Sequence, residues 1–77
     1  MKRSEFLLGL AETIEADIST MSESTVLREL PRWDSMRLLE VIAFVDEQLG
    51  IDLNANQVVN CETVGQLLDL VKDSLTA

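Results

Sequence analysis

Apolar positions recur at helical spacing along most of the chain. Phe6, Leu7, Leu10, Ile14 and Ile18 fall on one stripe, while Glu5, Glu12, Glu15 and Asp17 lie mainly off it. This pattern predicts an amphipathic helix over about Ser4 to Ile18. From Ser19 to Asp34 the pattern breaks: Ser19, Thr20, Ser22, Ser24 and Thr25 favour local turns, and Pro31 pushes Leu30 towards extended backbone. A connection this long needs anchors to stay compact, and Val26, Leu27, Leu30 and Trp33 are the candidates.

The second helix is expected from near Ser35 to near Gly50, with Asp34 or Ser35 giving the N-terminal capping oxygen and Gly50 the stop. Ile51-Asp52-Leu53 then crosses to a short segment of about Asn54 to Asn60, where Asn54 and Gln57 have the spacing of a reciprocal cap. Thr63-Val64-Gly65-Gln66 repeats that spacing, and Val64, Leu67, Leu68, Val71 and Leu75 continue as a helical stripe with Lys72 near its end. No alternation of the β type competes. The expected fold is all-α, a four-helix bundle of three main helices and one short third helix, packed stripe to stripe.

At 77 residues the chain is expected to be one domain, 1–77, with 47% hydrophobic residues and no internal repeat. Fourteen acidic against six basic residues give a formal net charge of −8. Such a surface repels nucleic-acid phosphates and anionic lipid and favours partners with basic patches, although acidity also simply keeps small proteins soluble. The N-terminus lacks an apolar run long enough for a signal peptide, and no stretch is long and apolar enough to span a membrane. Cys61 is the one cysteine, which fits a reducing compartment, and no histidine exists to activate it, so it reads as an ordinary semi-buried residue. A cytoplasmic monomer without nucleic-acid or membrane partners is expected. A stand-alone enzyme is not: the sequence has no histidine, no metal-ligand cluster and no glycine-rich phosphate loop.

On a helical wheel of the second helix, Leu38, Val41, Ile42, Val45 and Leu49 form the core side, with Leu39 at its border. Met36, Arg37, Glu40, Ala43, Phe44, Glu47 and Gln48 occupy the other side. Met36 and Phe44 are large and apolar, yet share that side with Glu40 and Glu47. Apolar anchors among acids suit a docking surface, and the competing reading is that the long connection folds over one or both. Ser35 stands at the head of the same helix, where free N–H groups and the positive end of the dipole favour a phosphate. Its residue type alone is equally that of a cap.

Trp33-Asp34-Ser35-Met36-Arg37-Leu38-Leu39-Glu40 resembles the attachment motif of acyl carrier proteins, Asp-Ser followed by Leu or Met at the start of the second helix. The similarity continues through Val45-Asp46-Glu47-Gln48-Leu49-Gly50-Ile51-Asp52-Leu53 and Thr63-Val64-Gly65-Gln66-Leu67-Leu68. The resemblance implies that Ser35 carries 4'-phosphopantetheine, transferred from coenzyme A by a phosphopantetheinyl transferase. The arm then holds acyl intermediates as thioesters for partner biosynthetic enzymes of fatty-acid, polyketide or related pathways. It also implies that Asp34 helps place magnesium during the transfer. It places Met36, Glu40 and Glu47 where the family's recognition helix meets partner enzymes, and with Asp34, Arg37 and Phe44 these make up the expected partner-binding set. The implied partners are acyl- or aminoacyl-activating and acyl-transfer enzymes with basic docking surfaces. Pro31-Arg32-Trp33 before Asp34, and Arg37 where the family commonly has an acid, look more like free-standing carriers of specialised pathways. An aminoacyl or peptidyl carrier shares the same fold and serine, and an unmodified helical interaction module is the alternative of a different class.

Overall fold

The computed structural model describes residues 1–31 and 33–76. Arg32, part of the departure noted above, lies outside them. Among the described residues there are four α-helices and no strand: α1 is Arg3–Thr13, α2 Ser35–Leu49, α3 Ala55–Val59 and α4 Val64–Val71. Short 3-10 turns occupy Ile18–Thr20, Leu27–Glu29 and Lys72–Ser74. The expected all-α bundle with one short third helix is therefore what forms.

Three of the helix starts follow from residue type. Asp34 Oδ1 accepts the N–H of Arg37 at 2.9 Å, which caps α2 and decides between Asp34 and Ser35 in favour of Asp34. Asn54 and Gln57 bond reciprocally at the head of α3, each at 2.9 Å. Thr63 and Gln66 do the same for α4. The remaining N–H groups of that first turn are also taken: Val64 donates to the carbonyl of Thr25, and Gly65 to that of Glu23. A helix head buried by a neighbouring segment must satisfy those donors somewhere, and here the long connection supplies the acceptors. At the other end of α2, Gly50 adopts φ 68, the left-handed conformation that a side chain disfavours and glycine does not.

The first helix is shorter than its hydrophobic stripe predicts. It ends at Thr13 rather than near Ile18, because the chain leaves helical geometry at Ile14 and Glu15 turns to a positive φ of 55. Ile14 stays in the core, but Ile18 is carried onto a separate 3-10 turn and is 42% exposed. The core itself joins Phe6, Leu10 and Ile14 of the N-terminal segment to Leu38, Val41 and Val45 of α2, Leu53 and Val58 around α3, and Val64, Leu67, Leu68 and Val71 of α4. It contains no buried polar or charged side chain among the described residues.

Of the expected anchors in the long connection, Leu27 is fully buried, while Leu30 and Trp33 pack partly buried against the core. Val26 pairs with Thr63 through an isolated antiparallel bridge, and Leu27 donates to the carbonyl of Glu62 at 2.9 Å. The two ends of the chain meet as well. Arg3 N–H donates to Thr76 and Thr76 N–H to Met1, both at 2.9 Å, making a parallel bridge between Lys2 and Thr76. No helix among the described residues is long and apolar enough to cross a membrane.

Candidate functional site

The head of α2 combines a short polar cap with an outward hydroxyl. Asp34, which precedes the helix, uses one carboxylate oxygen on the Arg37 N–H and its own carbonyl on the Leu38 N–H at 3.0 Å. Ser35 is therefore the first helical residue and not the cap, so its side chain is released from the role that serine most often has at a helix start. It is exposed. Among the described residues no acceptor is found for the N–H groups of Ser35 and Met36. Unpaired donors at the positive end of a 15-residue helix favour an anion.

The side of α2 away from the core divides in two. Met36 is 67% exposed and Leu39 62%, and Ala43, Asp46 and Glu47 continue the exposed face towards the C-terminal end. Leu39 was expected at the border of the core side. It faces solvent because the covered side of α2 is the stripe of Leu38, Val41 and Val45 with half-buried Ile42, Phe44 and Leu49 beside it, which leaves Leu39 outside. At about 100° per residue it lies nearer Met36 than that stripe, and the missed signal was the sequence's own wheel angle.

Phe44 and Arg37 turn the other way. Phe44, placed by the wheel on the outer side, is half-buried: its ring centroid is 5.3 Å from that of Phe6, with the planes inclined by 45°. The partner it finds is α1, not the long connection. Arg37 donates through Nη1 to Glu40 Oε2 at 2.7 Å and through Nη2 to Glu15 Oε2. Its side chain is only 21% exposed. The Glu40 hydrogen bond, aided by the charges of Glu15, Glu40 and Asp34, holds the guanidinium more firmly in its charged form. Of the expected docking residues, then, Asp34, Met36 and Glu47 are exposed together with Leu39, Glu40 is paired on its own helix, and Phe44 faces inward.

Among the described residues no group of three or more Cys, Asp or Glu side chains converges to hold a metal ion. Cys61 is at the end of the α3 segment, half-buried, with its Sγ donating to the Gln57 carbonyl at 3.3 Å. Burial, and secondarily the charge of Asp69, pushes its thiol pKa up, which makes it a poorer nucleophile.

Two comparisons bear on what an exposed serine at a capped helix head is for. The profile of a family described as "Phosphopantetheine attachment site" matches residues 6–71. A curated protein named "Acyl carrier protein", from Saccharopolyspora erythraea, is 30% identical over 64 residues, which cover 83% of this chain and 67% of that protein.

Proposed function

Since the chain belongs to the phosphopantetheine-attachment family of carrier proteins, we propose that it is an acyl carrier protein of the free-standing specialised type, with Ser35 as the residue that bears the arm. The observation that carries this reading is the release of the Ser35 hydroxyl by Asp34. A serine that capped its own helix would spend its oxygen on a backbone donor; here Asp34 does so, and Ser35 keeps an exposed Oγ for a phosphodiester. The N–H groups of Ser35 and Met36 give that phosphate complementary partial charge. When attached, 4'-phosphopantetheine supplies a thiol that holds the cargo as a thioester.

The chain's own part is to present Ser35 and to be recognised. No histidine exists to accept the Ser35 proton, so the base for the transfer is assigned to the phosphopantetheinyl transferase. The Asp34 oxygen not used by Arg37 N–H is suited to help place the transferase's magnesium. Met36 and Leu39 offer apolar anchors beside the attachment point, and Asp46 and Glu47 give orientation and rate to partners with basic surfaces. Contacts of this kind are weak and charge-steered, as repeated handover among enzymes requires. The protein works as a cytoplasmic monomer.

Incubation with coenzyme A, magnesium and a promiscuous transferase tests the attachment. The intact mass of the wild-type chain rises by one phosphopantetheine, and Ser35→Ala stays bare while its stability moves by less than about 0.5 kcal/mol, since the hydroxyl makes no cap bond. A wild-type chain that stays bare leaves the unmodified interaction module as the better description. The Trp33-Asp34-Ser35-Met36 form keeps an aminoacyl or peptidyl carrier as the second reading, and loading by acyl-activating against amino-acid-activating enzymes separates the two.

A further inference from the structure

Arg37 is a cation in the first turn of an acidic docking helix, and its guanidinium is committed on two sides. One nitrogen holds Glu40, one turn further along α2, and another holds Glu15, in the connection after α1. Its own N–H is fixed to Asp34, next to Ser35. A planar guanidinium can bridge two carboxylates at once; here it holds Glu40 Oε2 and offsets the charge that the rest of this carboxylate, whose side chain is 41% exposed, presents to a partner. Around the helix, at about 100° per residue, Arg37 is within about 20° of Phe44, which packs on α1, and about 60° from Glu40. The bond to Glu15 draws Arg37 towards the end of α1, and the bond to Glu40 Oε2 ties that carboxylate to the same side of the helix.

We propose that Arg37 is a specificity-determining residue that acts on Glu40: it offsets the charge that carboxylate presents to partners and moves the acidic handle of the docking face to the far end of α2. This rests on the carrier reading given above. The face left to a partner is apolar at its head, through Met36 and Leu39, and acidic at Asp46 and Glu47. Glu47 lies twelve positions after Ser35, about 18 Å along the helix at about 1.5 Å per residue. The partner that fits brings an apolar patch to the attachment point and its basic residues about three turns further on. A partner whose cations cluster at the helix head meets a Glu40 whose charge Arg37 already offsets.

The test measures arm transfer from coenzyme A by a transferase with a basic docking surface, at low and high salt, on the wild-type chain, R37M, R37M/E40Q, E40Q, E47Q and K72M. R37M keeps the aliphatic stem and frees Glu40; K72M makes the same change in net charge outside α2. The expected result is a KM for R37M lower by up to about fivefold, the span of an exposed ion pair, with kcat unchanged, the melting temperature a few degrees lower at most and the gain fading in high salt. E40Q added to R37M removes the gain. In the otherwise unaltered chain, E40Q raises KM less than E47Q does, a comparison that does not depend on R37M folding. The proposal is overturned if R37M gains no more than K72M, if R37M/E40Q keeps the gain, or if E40Q costs as much as E47Q. A wild-type chain that accepts no arm overturns the carrier reading and this inference together, whereas a modified wild-type chain with any of those three results overturns the inference alone.

Discussion

Phe44 lays its ring over Gly9 so closely that a methyl group at position 9 would stand 2.7 Å from Phe44 Cζ. The aromatic residue that the wheel sets on the outside of α2 is thus accommodated by the smallest residue on α1. Gly9→Ala gains helix propensity of about 1 kcal/mol but forces the ring to move, and overpacking costs about 1–3 kcal/mol. The expected net effect is a loss of about 1 kcal/mol, and a domain of this size then melts about 4–8 °C lower. Phe44→Leu in the Gly9→Ala background restores part of the loss by vacating the space. A melting temperature raised by Gly9→Ala would mean that the ring swings aside freely.

Asp34 carries a structural task as well as its place beside Ser35. Asp34→Ala removes the acceptor of the Arg37 N–H and is expected to cost about 1 kcal/mol in denaturant unfolding, whereas Asp34→Asn, which keeps an acceptor oxygen, costs a few tenths. Arm transfer to Asp34→Asn then isolates the negative charge from the cap. A transfer rate well below wild type on a chain of nearly wild-type stability is the expected outcome, and equal rates would show that the charge takes no part.

How much of this was legible beforehand depended on whether residue type marks the backbone. The starts of α2, α3 and α4 carry their signals in Asp34, in Asn54 with Gln57, and in Thr63 with Gln66, and the end of α2 carries Gly50. The end of α1 carries none. Glu15 takes a left-handed conformation without being glycine or asparagine, and Ile18 keeps the helical spacing although the helix has stopped. Ser35 could be located from the motif, but its release from capping needed the observed bond to Asp34. The fates of Phe44 and Arg37 were hidden for a different reason: both depend on what α1 and its following turn present across the interface, which periodicity on α2 does not contain.

Cys61 gives a prediction with a definite sign. Burial raises its folded pKa above the unfolded value, so the native fold prefers the neutral thiol. The stability this contributes is fully present below the unfolded pKa and is lost as pH rises through the folded one. Alkylation by iodoacetamide should be slower for the native chain than in urea, with its pH midpoint displaced upward. Identical profiles in the two states would remove the shift.

The charge of −8 predicts a response to salt. Clustered acids repel one another in the compact state, while exposed pairs such as Arg3 with Glu23 add little. Screening should weaken both, with the repulsion the larger quantity, so the melting temperature rises on going from low to physiological ionic strength and further with a divalent cation. A falling melting temperature across the titration would show that the ion pairs outweigh the repulsion.

The bridge between Lys2 and Thr76 has a mechanical side. Because the two end segments run parallel and side by side, tension applied between the termini slides one along the other and loads their two backbone hydrogen bonds together, before it reaches the helices. Under stretch the molecule should give way first at this clasp. The hydrophobic interior behind it would come under strain only once the seam has parted.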